Sequence, residues 1–344
     1  MADLHTPTSA KTTALTLMVG MLGAVLGWCL NAPVFMLLGP AVAVSVAGLG
    51  GLRVAVDPRL RDVCFVILGL AVGAGFDADA LAAMVRWPLA FVFMAAVMWA
   101  ILVTCRALLM RFFGFGRRSA LLAAAPGHLS FVVTIAADLG SDVARISVTQ
   151  SVRLLSLTIA VPFVALAMGV EVSGNIAPQG QGMAPLHLIV MAVLGVALGM
   201  IFKRLRVPAP LLMGTMVVSA LGHLTALAPG LLPQGLVLPA YLVLGALIGT
   251  RFSGVTLAEL RGGFLAGVTV TIVAVSFAGA AAAPVAWALG MPMAHVLVAF
   301  APGGLETMIA MGVVLGVVPG FVAACHIARL LVLTVLLPAM LGRS

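Results

Sequence analysis

Ala125-Pro126-Gly127-His128-Leu129-Ser130 and Ala301-Pro302-Gly303-Gly304-Leu305-Glu306 are two copies of one stretch, 176 residues apart. Each lies inside a long apolar run, where a proline removes a helical N–H and the next glycine lets the backbone turn. From these two points the register runs without a gap over Ala125–Pro162 against Ala301–Pro338, and 12 of the 38 pairs are identical. The matches include Gly140/Gly316, Arg153/Arg329, Thr158/Thr334 and Pro162/Pro338. Upstream the same offset pairs Gly69 and Gly73 with Gly245 and Gly249, and an offset shorter by one pairs Pro33 and Gly39 with Pro208 and Gly214. Shared apolar composition produces coincident Leu and Ala, not coincident Pro, Gly and Arg, so the chain is an internal duplication.

The surroundings of the two stretches set their medium. Of 344 residues, 63% are apolar and 8% are Asp, Glu, Lys or Arg, against about 25% charged in a soluble domain. A water-facing surface cannot be built from so few charges. Apolar segments fall near 12–30, 33–50, 62–76, 87–110, 117–139 and 144–168, then 185–202, 207–226, 234–250, 263–288, 291–316 and 320–341. Several are uniformly apolar for 18 residues or more, which selects helices over the alternating strands of a membrane barrel. The sequence therefore predicts an all-α polytopic membrane protein with a first membrane repeat at 12–168, a linker at 169–184 and a second repeat at 185–341.

Basic residues orient the spans. With the N-terminus in the cytoplasm, the Arg53, Arg59, Arg61 loop and the Arg111, Arg117, Arg118 loop both face inward, as positive charge prefers. Six full spans per half would carry Lys203, Arg204 and Arg206 to the opposite side. If the fifth segment of each half turns back at its Pro-Gly, all the clusters face inward and Arg86 alone stays outside. Each half then has five spans and one re-entrant or broken Pro-Gly helix, and the odd count inverts the second repeat against the first. Inverted repeats with broken helices meeting near the bilayer midplane build many secondary transporters. The blander reading is a full span kinked by proline and glycine. The Gly-x-x-x-Gly pairs 23/27, 69/73, 195/199, 245/249 and 312/316 read as notches for close helix packing.

Ionisable groups inside a bilayer are costly, so each suggests function. Glu306 is the one acid deep in an apolar segment. Arg153 and Arg329 lie halfway along the last segments of the two halves, each one turn after a polar residue, Gln150 or His326, on the same helix face. The turns at Pro126, Gly127, Pro302, Gly303 and Gly304 free backbone groups that can ligate a solute. His128, Ser130 and Thr307 add polar side chains beside them. Two arginines against one carboxylate leave a positive excess that suits an anion. Two readings of the cations stand together: they hold a substrate, or they donate to the orphaned carbonyls of the turns while Glu306 neutralises Arg329. Asp138 and Asp142 read as solvated loop acids, with a cation site as the alternative, and His187, His223 and His295 as interfacial.

Other chemistry lacks its parts. Cys29, Cys64, Cys105 and Cys325 are scattered singly, without the pairing of a metal or redox motif, and read as small buried hydrophobes. No metal-ligand spacing, phosphate loop or nucleophilic triad is present in the sequence, so no enzymatic activity, metal or cofactor is expected. The net charge of +8 lies in short loops and marks orientation rather than nucleic-acid binding.

The repeated Ala-Pro-Gly-x-Leu-Ser/Glu block, each copy followed by Arg-Leu-Leu at Arg153–Leu155 and Arg329–Leu331, resembles the AbrB duplication family of bacterial inner-membrane proteins over residues 15–341. Members carry the labels ammonia monooxygenase and AbrB family transcriptional regulator. The first needs a metal cluster and the second, if it binds DNA directly, a soluble basic module; neither is visible here. The resemblance implies a bacterial inner (cytoplasmic) membrane location and an indirect effect on gene expression. The expected function is a secondary transporter of a small anionic solute coupled to protons or sodium, with a membrane-embedded sensor or scaffold as the alternative. The expected partners are the lipid bilayer and a small-molecule or ion substrate, without nucleic acid; self-association is left open.

Overall fold

Proline and glycine set several helix ends in this chain, and the matched positions of the two halves end their helices alike. The computed structural model describes residues 9–76, 87–126, 129–169, 181–205 and 207–342. Its helices are α1 (Ala10–Cys29), α2 (Phe35–Leu49), α3 (Pro58–Gly73), α4 (Trp87–Phe113), α5 (Arg117–Ala124), α6 (Leu129–Asp138), α7 (Val143–Ala167), α8 (Pro185–Arg204), α9 (Pro210–Leu224), α10 (Gln234–Gly249), α11 (Leu257–Leu289), α12 (Met293–Phe300), α13 (Leu305–Val314) and α14 (Pro319–Leu341). Among the described residues seven helices are long and apolar enough to cross a bilayer, and three shorter apolar helices accompany them. That is a smaller set than the ten spans read from hydropathy, because α2, α3 and α9 stop at 15 or 16 residues.

The fifth apolar segment of each half is broken. In the first half α5 ends at Ala124 and α6 begins at Leu129; in the second, α12 ends at Phe300 and α13 begins at Leu305. The downstream arms also stop identically. The Gly140 N–H donates to Ala137 and Ser141 N–H to Ala136, as Gly316 N–H donates to Val313 and Val317 N–H to Gly312. Both glycines hold φ near +60°, where a side chain is strained. Gly316 is therefore a helix terminator and not the packing notch expected of it; nothing approaches its missing side chain.

The chain divides into two compact units, and each draws helices from both sequence halves. One contains α1–α3 with α8–α10. Here the remaining glycine pairs act as notches. A β-carbon on Gly23 would stand 2.7 Å from the Gly39 carbonyl carbon across α1 and α2, and one on Gly214 would stand 2.6 Å from Gly199 Cα across α9 and α8. The pairing also crosses between halves: Gly73 of α3 abuts Ala220 of α9, and Gly249 of α10 abuts Val44 of α2. Pro33 and Pro208 precede matched residues of positive φ, Val34 at 51° and Ala209 at 45°, which start α2 and α9. A left-handed non-glycine residue costs about 1–2 kcal/mol, and here the close packing of the helices that follow holds it.

In this unit His223, in the last turn of α9, ties its helix to the following loop, its ring nitrogens 2.7 and 2.8 Å from the carbonyls of Ser219 and Gly230. The linker expected at 169–184 lies mostly outside the described residues. Its end is anchored, with Met183 N–H donating to Leu231 and Leu231 N–H to Gln181. All four cysteines are free, and three are buried; Cys29, at the last residue of α1, is exposed, contrary to expectation.

The second unit contains α4–α7 with α11–α14. Arg145 fastens its entry: Nε donates to the Gly262 carbonyl at 3.1 Å, an Nη donates to the Phe113 carbonyl, and the guanidinium lies 4.0 Å from the centre of the Phe115 ring. Asp142 caps α7 by accepting from Arg145 N–H at 3.0 Å, which accounts for that acid without a cation. Asp138 is exposed.

Replacing Gly39 by leucine should force a side chain into the α1 backbone, an overpacking cost of about 1–3 kcal/mol. Gly279→Leu, where nothing lies within 4 Å, should be neutral. Thermal unfolding of the two variants in detergent, followed by size-exclusion chromatography, checks the difference.

Candidate functional site

A helix that stops inside the apolar core leaves carbonyls without their i+4 partners, and a buried unpaired carbonyl costs about 1–3 kcal/mol. Both breaks in the second unit meet this demand from the neighbouring long helix. In the first half, Gln150 Nε2 donates to the Leu122 carbonyl at 2.8 Å and to the Ala125 carbonyl at 3.1 Å. Arg153 Nη1 donates to the same Ala125 carbonyl at 3.0 Å, and its Nη2 to Gln150 Oε1 at 3.2 Å. The i, i+3 spacing that put the two side chains on one face of α7 is what lets them act on one carbonyl.

The second half repeats the clamp with different parts. Arg329 Nη1 donates to the Ala301 carbonyl at 3.2 Å and Nη2 to the Gly303 carbonyl at 2.8 Å. Gly303 N–H also donates to Ala301 at 2.8 Å, closing a three-residue turn over Pro302. His326 stands where Gln150 stands in the first copy, but it turns back on its own helix: Nδ1 lies 2.9 Å from the Val322 carbonyl. A carbonyl only accepts, so Nδ1 carries a proton, and in the neutral ring Nε2 is an acceptor. That nitrogen is buried without a partner among the described residues.

Of the two roles open to the arginines, the geometry realises the clamp. Both side chains are almost wholly buried, 4% and 1% exposed, and each retains an Nε–H with no partner among the described residues. The supposed neutralisation of Arg329 by Glu306 is absent: among the described residues the ion pair within 4.0 Å is Arg61–Asp62. Two buried guanidiniums thus stand among carbonyl dipoles without a carboxylate. They share one unit. The second break also reaches α7, where a β-carbon on Gly304 would lie 3.3 Å from Leu154 Cδ1, next to Arg153.

Glu306 occupies the first turn of α13, half-buried. Gly304 caps that helix without a side chain, so the amides of Leu305, Glu306 and Thr307 open toward the break, and the carboxylate complements the positive helix end. Thr307 is buried behind it. Pro126, Pro302 and Gly303 are buried in the breaks. Gly127 and His128 lie outside the described residues; Ser130 lies in α6, its side chain outside them as well. The structure therefore brings together Gln150 and Arg153 with the first break, and Arg329, Gly303 and Gly304 with the second. The sequence signalled every donor but not the Leu122 carbonyl, which becomes an acceptor only because α5 ends two residues later.

Arg153→Lys and Arg329→Lys keep the charge but lose the fork that reaches two acceptors. Both should destabilise the protein in detergent, and Gln150→Leu, which leaves the Leu122 carbonyl with only the Ala125 N–H at 3.3 Å, should cost about 1–3 kcal/mol. Chemical-denaturant or thermal unfolding of the purified variants checks the ranking, with Arg329→Lys lowest because it alone serves two carbonyls of its break.

Comparison with known proteins places this geometry in a family. A family model described as "Transition state regulatory protein AbrB" matches residues 36–343, which takes in both breaks and both arginines. The uncharacterized protein YhjN of Bacillus subtilis (strain 168) is 26% identical over 257 residues, 67% of this chain and 64% of that protein. The "Putative regulator AbrB" of Escherichia coli (strain K12) is 30% identical over 155 residues, 44% of each. The chain thus spans less than two thirds of the length of either relative. The family match runs across nearly the whole chain and contains the duplicated Pro-Gly breaks with the arginines that close them, and the chain belongs to the AbrB family.

Proposed function

We propose that this chain is a multi-pass protein of the bacterial inner membrane, with N- and C-termini cytoplasmic, that works as a secondary transporter of a small organic anion coupled to protons or sodium. In this reading the two sequence halves are inverted repeats, and the broken segments enter from opposite leaflets. The arms have 8 and 10 residues, about 12 and 15 Å at 1.5 Å per residue, which is half of a hydrocarbon core of about 30 Å. The breaks then sit near the midplane.

The observation that carries the reading is the uncompensated charge: two arginines buried beside the breaks, with no carboxylate within ion-pair distance among the described residues. A buried cation without a counter-ion is expensive unless an anion or a polar cavity serves it. The free Nε–H groups of Arg153 and Arg329, the open amides of α13 and the Thr307 hydroxyl form the donor set for such a solute. Glu306, half-buried and outside any ion pair among the described residues, is the acid whose protonation or sodium binding couples to passage. His326 Nε2 is a second acceptor in the same unit. Ser130 stands at the position of Glu306 in the first copy, so the coupling acid is unique to one break.

The second reading is a membrane-embedded sensor that influences gene expression, for which the regulator names of the family and of the E. coli relative speak. The two separate in proteoliposomes. A panel of carboxylates, amines and aromatic solutes is first tested for thermal stabilisation of the purified protein, and the solutes that stabilise wild type but not Arg329→Ala are assayed for flux. The transporter predicts saturable uptake of a carboxylate, driven by a proton or sodium gradient, that falls at least tenfold in Glu306→Gln. A regulatory phenotype that survives Glu306→Gln, with no flux of any stabilising solute, would establish the sensor instead.

A further inference from the structure

Away from the breaks, the second unit carries a basic groove that the transport reading does not use. It is open, has a volume of about 780 Å³, and is formed by the C-terminal part of α4, the start of α5 and the end of α14. Arg106, Arg111 and Arg117 line it, and so do the apolar side chains of Val103, Ala107, Met110 and Met340. We propose that this groove binds an anionic phospholipid, the three guanidiniums holding its phosphate and the apolar lining holding the upper part of an acyl chain.

The placement follows from α4 itself. Positions 103, 106, 107, 110 and 111 are spaced i, i+3, i+4, i+7 and i+8, one face of a helix. That face looks outward: Val103 and Met110 are 40% and 41% exposed. At 27 residues α4 is about 40 Å long, some 10 Å more than the hydrocarbon core, so its last turns reach the headgroup layer. Arg106 lies seven residues before Phe113, about 10 Å along the axis, where a guanidinium meets the boundary between acyl chains and phosphates. Arg111 and Arg117 follow beyond it. A lipid lying along α4 would therefore meet apolar side chains at its chain and cations at its head.

The charges there are unspent. None of the three arginines has a carboxylate within 4.0 Å among the described residues, and Arg111 has only the edge of a contact with the Phe112 ring, 5.8 Å away. Arg145 in the same unit is the contrast, with both carbonyl acceptors and an aromatic face already occupied. The start of α5 adds to the deficit: Arg117 and Arg118 stand on the positive end of a helix capped by Gly116, with no acid in its first turn. Cations at that end are unfavourable until an anion is present. A soluble phosphate would answer the charge but leave the apolar wall uncovered, and a neutral lipid would do the reverse. Clustered arginines at a membrane face attract anionic headgroups by about fivefold in affinity each.

The test uses the purified full chain in detergent, titrated with phosphatidylglycerol, with phosphatidylcholine of the same acyl chains, and with glycerol 3-phosphate and inorganic phosphate. Retained lipid is read by native mass spectrometry and stability by thermal unfolding. Phosphatidylglycerol should be retained and should stabilise; phosphatidylcholine and the soluble phosphates should not. Each of Arg106→Gln, Arg111→Gln and Arg117→Gln should weaken phosphatidylglycerol about fivefold, while Arg204→Gln, on another helix end, leaves it unchanged. Arg111 and Arg117 are exposed, so that pair of variants decides the matter even if Arg106→Gln does not fold. Equal retention of the two lipids, undiminished retention in the paired variant, or equal stabilisation by inorganic phosphate would overturn the proposal. The result is independent of whether any solute is transported.

Discussion

A carbonyl that has lost its helical partner inside an apolar core must find a donor, and in this protein that demand organises everything around the breaks. The donors have to come from a neighbouring helix, have to be long enough to cross the gap, and have to serve more than one acceptor. Arginine meets all three conditions, because its planar fork presents several N–H groups in fixed directions. Arg153 and Arg329 lie in the same relation to Ala125 and Ala301, 28 residues downstream in each half. The duplication has thus preserved an interaction, not merely a residue type. The cost of burying the two guanidiniums is offset in part by the carbonyls, and the remainder leaves the unit with positive charge that an anion would relieve.

The differences between the copies carry as much meaning as the identities. Gln150 bridges Arg153 to the carbonyls of Leu122 in α5 and of Ala125 just past its end, and locks the first break into a closed network. His326 at the matched position takes no part in the second break, so Arg329 alone spans Ala301 and Gly303, and a histidine nitrogen is left without a partner. The second break also holds Glu306. One copy is accordingly held by a fully shared network and the other by a single side chain, with a titratable acid beside it.

Elsewhere the structure depends on closeness. With few charges and no aqueous hydrophobic drive between lipid-facing helices, association relies on van der Waals contact, and contact requires small residues. The notches of the first unit put backbone against backbone: Gly214 against Gly199, Gly73 against Ala220, Gly249 against Val44. That packing holds Val34 and Ala209 in a left-handed conformation that neither residue prefers. Basic residues divide by the same logic of supply and demand. Arg145 is consumed by the carbonyls it meets, whereas Arg106, Arg111 and Arg117 face outward at a helix end.

The helical class, the apolar medium, the duplication and the sites of the breaks were legible in the amino-acid sequence, because each follows from local covalent facts: proline lacks an N–H, glycine lacks a side chain, and 20 apolar residues bury their own backbone bonds. The importance of Arg153 and Arg329 was legible for a similar reason, since a charge inside an apolar run requires a partner wherever the run goes. What the partner is depends on which helix lies alongside, and only the tertiary structure decided that. It assigned the arginines to carbonyls rather than to Glu306, ended α13 at Gly316 where spacing suggested a notch, exposed Cys29, and drew each compact unit from both halves of the chain. Spacing along a helix reports which side chains share a face, whereas contact between faces is settled by the packing of segments distant in the chain.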